Sequence, residues 1–383
     1  MFMSTLSQRL AALTVPVVLL VASTNTAAGW TGPDRVAGLA VDTRPDGPSM
    51  VMHDGDRFIA VAGSSGSPGI RLLTDRSGMW RSVRRTDDEA GAPSIAVGGN
   101  GAVHIAYARD WFLGCTGRCA TPVYHLGRRG GDWHRDRLMG GINVMPAIAL
   151  DAAGRAHIAV LHRASDGSDW SIQLFSQEGD GWSRQVVDVA VDYGSIDHPN
   201  GPSIAIDGDH VAISYLATPT PSTYEVRLWE REGDGPATRS AISHNQRARW
   251  ADLAFDAAGS LHVAYSVSGG ALWHATRDSE MAWGRTRIST HVLEDARPSL
   301  VAWGAGKVAI AIEHDPDDAF PVVGSGEIEL FTNRQGPWAS QLLTHSGSDH
   351  LPSLAATSGG HLSVVFVRDP RHAPPTLWSM GRL

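Results

Sequence analysis

Lysine is all but missing from this sequence. Lys307 is the single one, so 31 of the 32 basic residues are arginine. If a basic site exists, it will therefore make planar, bidentate contacts to carboxylate or sulfate; genome composition is the blander reading of the same bias. Cysteine occurs only twice, which excludes a disulfide-framed scaffold. Charge is scarce at 19% and the balance is −8, so the electrostatic footprint of a nucleic-acid-binding protein is absent. No apolar run reaches the roughly 20 residues that a membrane-spanning helix needs. Disorder is excluded by 42% hydrophobic residues with 13 tryptophans. A coiled coil or helix bundle is excluded by 42 glycines and 21 prolines spread along the whole chain.

The first 28 residues stand apart. Arg9 is their only charge, Leu10 to Ala22 is an apolar stretch of 13, and the segment ends on Thr26-Ala27-Ala28. This order matches an export signal cleaved before Gly29. Residues 1–28 are expected to be a signal peptide and 29–383 the mature protein, secreted, without a membrane span.

What the sequence does have is a repeat. Pro-Ser, a short alternating apolar run, a Gly/Asp/Asn turn and a second alternating run begin at Pro48, Pro93, Pro146, Pro202, Ala251, Pro298 and Pro352. Each copy reads as a β-hairpin, because period-2 alternation marks half-buried strands and the glycine turns supply positive φ. A third strand, a Gly-Trp turn and a fourth strand follow, with Trp80, Trp133, Trp182, Trp283 and Trp338 in the turn slot. The fourth copy has Gly235-Pro236-Ala237 there instead. Four short strands per repeat of about 50 residues is the pattern of a β-propeller blade. The seventh copy stops after its third strand, and Gly29-Trp30 resembles the missing Gly-Trp piece. The expected fold is all-β, one seven-bladed β-propeller over 29–383, its last blade closed by the N-terminal strand.

The Gly-Trp turns, as in Ser77-Gly78-Met79-Trp80 and Gly179-Asp180-Gly181-Trp182, match the end of the Asp-box, S-x-D-x-G-x-T-W. On these residues the chain resembles the sialidase-like, BNR-type β-propellers. The Phe-Arg-Ile-Pro motif of true sialidases is absent, so the resemblance does not imply sialidase activity. It implies work on glycans more generally, as polysaccharide lyase, glycosidase or lectin.

Residues that recur blade after blade read as scaffold, since each blade poses the same packing problem. His104, His157 and His262 share one slot, and Tyr107, Tyr215 and Tyr265 another. Trp229, Trp273 and Trp378 also hold similar positions, on third strands. The chemistry is then sought among departures from the repeat, in the loops leading into each blade and those joining second and third strands. A glycosidase would draw its carboxylate pair from Asp197, Glu294, Asp295, Glu313 and Asp315. A lyase must neutralise a uronate carboxylate and take the adjacent proton. For that, His198, His314, His350, Tyr193, Tyr224, Arg163, Arg249 and Arg368 are available. Trp111, Trp170 and Trp250 lie outside every repeat slot and suit the apolar faces of pyranose rings.

Cys115 and Cys119 are expected to form a local disulfide, with a zinc site as the alternative. The residues call for no cofactor, although a divalent cation stays open. The expected partner of this monomer is a polysaccharide, cleaved by lyase or hydrolase chemistry. A lectin-like or protein-binding propeller is the alternative.

Overall fold

The computed structural model describes residues 29–41, 47–64, 66–76, 78–109, 121–129, 131–163, 169–189, 201–220, 223–244, 247–277, 282–293, 296–314, 326–370 and 373–381. The expected signal peptide and the Cys115–Cys119 segment lie outside them. The described residues form seven four-stranded antiparallel sheets and no helix.

Each sheet is one repeat. The first blade runs Ser49–His53, Asp56–Ala62, Ile70–Arg76 and Met79–Arg84, from the innermost strand outward. Five more follow in the same order, their innermost strands starting at Ala90, Ile142, Ser203, Ala248 and Ser299. The seventh is made of Asp349–Ala356, Leu362–Arg368 and Thr376–Gly381, and its outermost strand is Asp34–Ala40. The N-terminal strand thus closes the ring as expected. Thr31 N–H donates to the Gly381 carbonyl at 2.8 Å, locking the seam.

In four blades the innermost strand begins three or four residues before the repeat's first residue, at Ala90, Ile142, Ala248 and Asp349, and a register shift lies between that start and the hairpin. The residue just before the proline is left-handed at Gly47, Ala92, Met145 and Leu351, with φ of 47–54°. Three of these carry a side chain, so each bears a local backbone cost that the packed blade must outweigh. In the fourth blade the strands His210–Thr220 and Thr223–Glu232 pair out to Thr220 opposite Thr223.

The Pro-Ser phrase proves to be a joint between blades. Serine Oγ of one innermost strand accepts a backbone N–H from the next: Ser49 from Ile95 (3.2 Å), Ser94 from Ile148 (3.1 Å), Ser299 from Leu354 (2.9 Å) and Ser353 from Met50 (2.9 Å). In the fifth blade Asp252 takes the serine's place. Its carboxylate accepts Leu300 N–H (2.8 Å) and the Ser203 hydroxyl (2.6 Å). In the third blade Ala147 offers no oxygen. These rungs line a narrow axial channel of about 280 Å³.

The repeated residues are buried as the scaffold reading expects. Trp229 and Tyr107 are 0% exposed, and Tyr215 and Tyr265 are alike. The histidine slot holds hydrogen-bonded chains rather than free imidazoles. His104 Nδ1 lies 3.0 Å from His125 Nε2, and His262 Nδ1 lies 3.0 Å from His274 Nε2. His157 Nδ1 lies 2.9 Å from Ser176 Oγ.

Burial pushes the pKa values of His157, His162, His262 and His274 below the ordinary imidazole value, His274 to about 3. Unfolded, the same residues would take up protons near pH 6.5. Below that pH the unfolded chain therefore binds more protons than the folded one, and acid favours unfolding. Stability is expected to be full above about pH 6.5 and to fall by about 1.4 kcal/mol per pH unit for each histidine still neutral in the fold. A melting temperature that stays constant from pH 7 to 5 would contradict this.

Candidate functional site

The ends of the second strands and the starts of the first and third strands meet on one face of the ring. Five residues after the histidine slot, near the end of the second strand, the repeat carries Gly63, Arg109, His162, Ala217, Val267, His314 and Arg368 in blade order. Four blades are polar there and three are not, so packing alone does not dictate this position.

Much of that polarity is fastened within the blades. Arg368 makes a bidentate pair with fully buried Asp349 (2.6 and 2.9 Å), and its guanidinium lies 4.4 Å from the Trp378 ring. His162 Nδ1 lies 2.9 Å from Asn143 Oδ1. The Asn143 amide donates to the carbonyls of Thr121 and Gly140, which leaves its oxygen to accept from the imidazole. His314 Nδ1 meets Glu329 at 3.1 Å and faces an outer groove that also contains Arg287 and His291. Removing one partner of a buried pair strands the other charge. Asp349→Ala is accordingly expected to cost about 3–5 kcal/mol, read as a lower denaturation midpoint; an unchanged midpoint would exclude a structural role for the pair.

Beside the channel, Glu313 Oε1 accepts the Leu351 N–H at 2.7 Å, bracing the left-handed residue of the seventh blade. His350 precedes Leu351, and among the described residues its buried Nδ1 has no hydrogen-bond partner. Trp250 is 4% exposed, in the core cluster that also contains Trp229 and Tyr215, with the Arg297 guanidinium 5.4 Å from its ring. Arg163 covers Trp170 at 5.8 Å, and Trp170 packs partly buried on that cluster. Between the fourth and fifth blades, Arg249 stands 6.0 Å from the Tyr224 ring, with its Nε donating to Ser268 Oγ at 3.0 Å.

The structure thus gathers the sequence candidates into groups: Glu313 and His350 at the sixth and seventh blades, Tyr224 with Arg249 at the fourth and fifth, and Arg163 with Trp170 on the third. It sets His314 on the outer groove and fastens Arg368 to Asp349. Asp197, His198 and Trp111 lie outside the described residues. Among the described residues, no group of three or more His, Cys, Asp or Glu side chains could hold a metal ion.

Sequence reasoning passed over Asp252. Its signal was plain in retrospect, an aspartate in the serine slot of the repeat. Asp252 is half-buried at the channel wall, and burial pushes its pKa up; the hydrogen bonds from Ser203 and Leu300 and the charge of Arg297 oppose this. The folded state therefore holds its proton more tightly than the unfolded chain, and this aspartate contributes less to stability as pH rises through that range. Asp252→Ser restores the joint used elsewhere and is expected to keep or raise the melting temperature at neutral pH. Asp252→Ala leaves Leu300 N–H unpaired and should cost about 1–3 kcal/mol. Equal melting temperatures for the two variants would refute the joint.

No family model matches the sequence, and no curated protein matches it. Solved structures do. An ulvan lyase of polysaccharide lyase family PL25 superposes with a TM-score of 0.60 at 11% identity, covering 92% of this chain and 96% of that one. The same type of lyase bound to -[GlcA(1-4)Rha3S]- gives 0.59 at 10% identity over the same shares. A Trypanosoma rangeli sialidase in complex with sialic acid gives 0.51 at 10% identity, covering 92% of this chain and 59% of that one. The chain therefore has the sialidase-like propeller fold.

Proposed function

We propose that this protein is an exported, glycan-active propeller that cleaves an acidic polysaccharide by β-elimination, binding it across the face described above. The observation that carries this reading is the Tyr224–Arg249 pair. A guanidinium and a phenol stand together at the junction of the fourth and fifth blades, and the exported leader is the one expected over residues 1–28.

A lyase needs both groups close to one sugar. Arg249 would take the uronate carboxylate and stabilise the charge that spreads onto it as the adjacent C–H is broken. Tyr224 would carry the proton. The electron pair of that C–H bond forms the ring double bond, the glycosidic C–O bond breaks, and the leaving oxygen takes a proton; no water is consumed. The solved lyases of like fold act on or bind uronate-containing polymer, which supports the substrate class at the level of fold.

The test is incubation with uronate-rich and neutral polysaccharides, followed by near-UV absorbance and by reducing ends. Absorbance appearing with new ends on uronate polymers is the expected result. Ends without absorbance would mean hydrolysis, which Glu313 would then be examined for. Retention on a polysaccharide column without any product would mean a lectin-like binder.

A further inference from the structure

A second site lies away from Tyr224 and Arg249, between the first and second blades. There a groove of about 550 Å³ is lined by Arg85, Asp88, Arg109, Trp133 and Arg135 among others. Its floor follows from the local chain. Arg85 N–H donates to the Ile70 carbonyl at 2.8 Å, which pins the chain as it leaves the first blade. The side chain then crosses to the second blade, where its guanidinium lies 4.4 Å from the Trp133 ring.

An arginine over a turn tryptophan recurs in this propeller, and the comparison is informative. Arg57 lies over Trp80 and is also paired with Asp75. Arg277 lies over Trp283 and is held by both oxygens of Glu230, at 2.7 and 2.6 Å. Arg85 has the tryptophan but no carboxylate: among the described residues its guanidinium makes no ion pair, and its Nε is buried without a hydrogen-bond partner. The nearby carboxylates face other arginines. Asp88 Oδ2 accepts from Arg135 at 2.9 Å and lies 3.4 Å from Arg109, its Oδ1 having no hydrogen-bond partner among the described residues, while Asp87 pairs with Arg84 at 2.9 Å. Burial, and after it the charge of Arg128, lower the Arg85 pKa, as expected where a cation lacks its counter-charge. A stacked guanidinium keeps its edge for a planar or tetrahedral oxyanion.

We propose that this groove is an oxyanion subsite, in which Arg85 on Trp133 takes a carboxylate or sulfate group of an acidic glycan. The identification of the ligand as a glycan rests on the function proposed above; the oxyanion chemistry rests on the groove alone.

The test uses calorimetric titration of three probes: an oligogalacturonate, a sulfated dextran oligosaccharide and an uncharged dextran oligosaccharide. Inorganic sulfate at constant ionic strength serves as a fourth. Arg85→Ala, Arg85→Lys and the exposed-site control Arg81→Ala are compared with the wild type, with melting temperatures recorded. The expected result is binding of at least one anionic sugar and none of the uncharged one, weakened about tenfold in Arg85→Ala, partly restored in Arg85→Lys and unaffected in Arg81→Ala. The anion that binds tells carboxylate from sulfate. Equal affinity in wild type and Arg85→Ala, or no anionic probe binding to the wild type, overturns the subsite. Binding of inorganic sulfate through Arg85 without any sugar overturns the glycan assignment and keeps the oxyanion. These readouts need no turnover, so a failure of the proposed cleavage leaves them interpretable.

Discussion

Tyr224→Phe is expected to lower kcat/KM on a uronate polymer by about 10²–10⁴-fold, the range spanned by a lost proton-transfer group. The substitution removes one hydroxyl and keeps the ring beneath Arg249. The melting temperature should therefore hold, and KM should move little. Arg249→Lys should act differently. A lysine retains the charge but cannot grip a carboxylate with two parallel N–H bonds, so binding and turnover should both suffer. If Tyr224→Phe turns over at the wild-type rate, the proton passes through another group, and His350, whose Nδ1 has no hydrogen-bond partner among the described residues, becomes the next to substitute.

The second large effect concerns the ring itself. Deleting residues 29–41 is expected to lower stability by several kcal/mol and to produce aggregation on concentration. The strand Asp34–Ala40 pairs with Thr376–Gly381, so its loss bares a strand edge that invites pairing with another chain. It also removes Val36 and Val41, both in the core cluster between the seventh and first blades, and burial of one such side chain is worth about 1.5–3 kcal/mol. Size-exclusion chromatography and chemical denaturation check both parts. A monomeric product with the wild-type denaturation midpoint would show the strand to be dispensable.

The seven blades were legible in the sequence because the repeat states the same instruction seven times. Pro-Ser, the hairpin turns and the Gly-Trp slot each fell where the strands now lie, and even the seam was visible in Gly29-Trp30. What the spacing could not convey is which charged groups find each other. Arg368 read as a residue open to substrate, yet Asp349, nineteen positions earlier, lies directly opposite it across the sheet. Trp250 read as a platform, yet a bulge in its strand directs it to the core between blades. Arg85 drew no notice, since its character comes from a missing partner, and a missing partner is a fact about space. The grouping of Tyr224 with Arg249 is of the same kind: the two are 25 positions apart and belong to different blades.

The serine joints bear on how such a protein can change over time. In four of the joints the hydroxyl accepts a main-chain N–H, a group every residue but proline supplies, so the joint makes no demand on the neighbouring side chain. The loops above it can lengthen, shorten or exchange their residues while the connection between blades persists. Variation in what the face recognises is thereby uncoupled from the closure of the ring, and a blade carrying new loops would still find the amide it needs next door. Among the described residues two junctions depart from this: Ala147 offers no oxygen, and Ser203 donates to the Asp252 side chain, so insertions into the loops beside these two should be the least well tolerated.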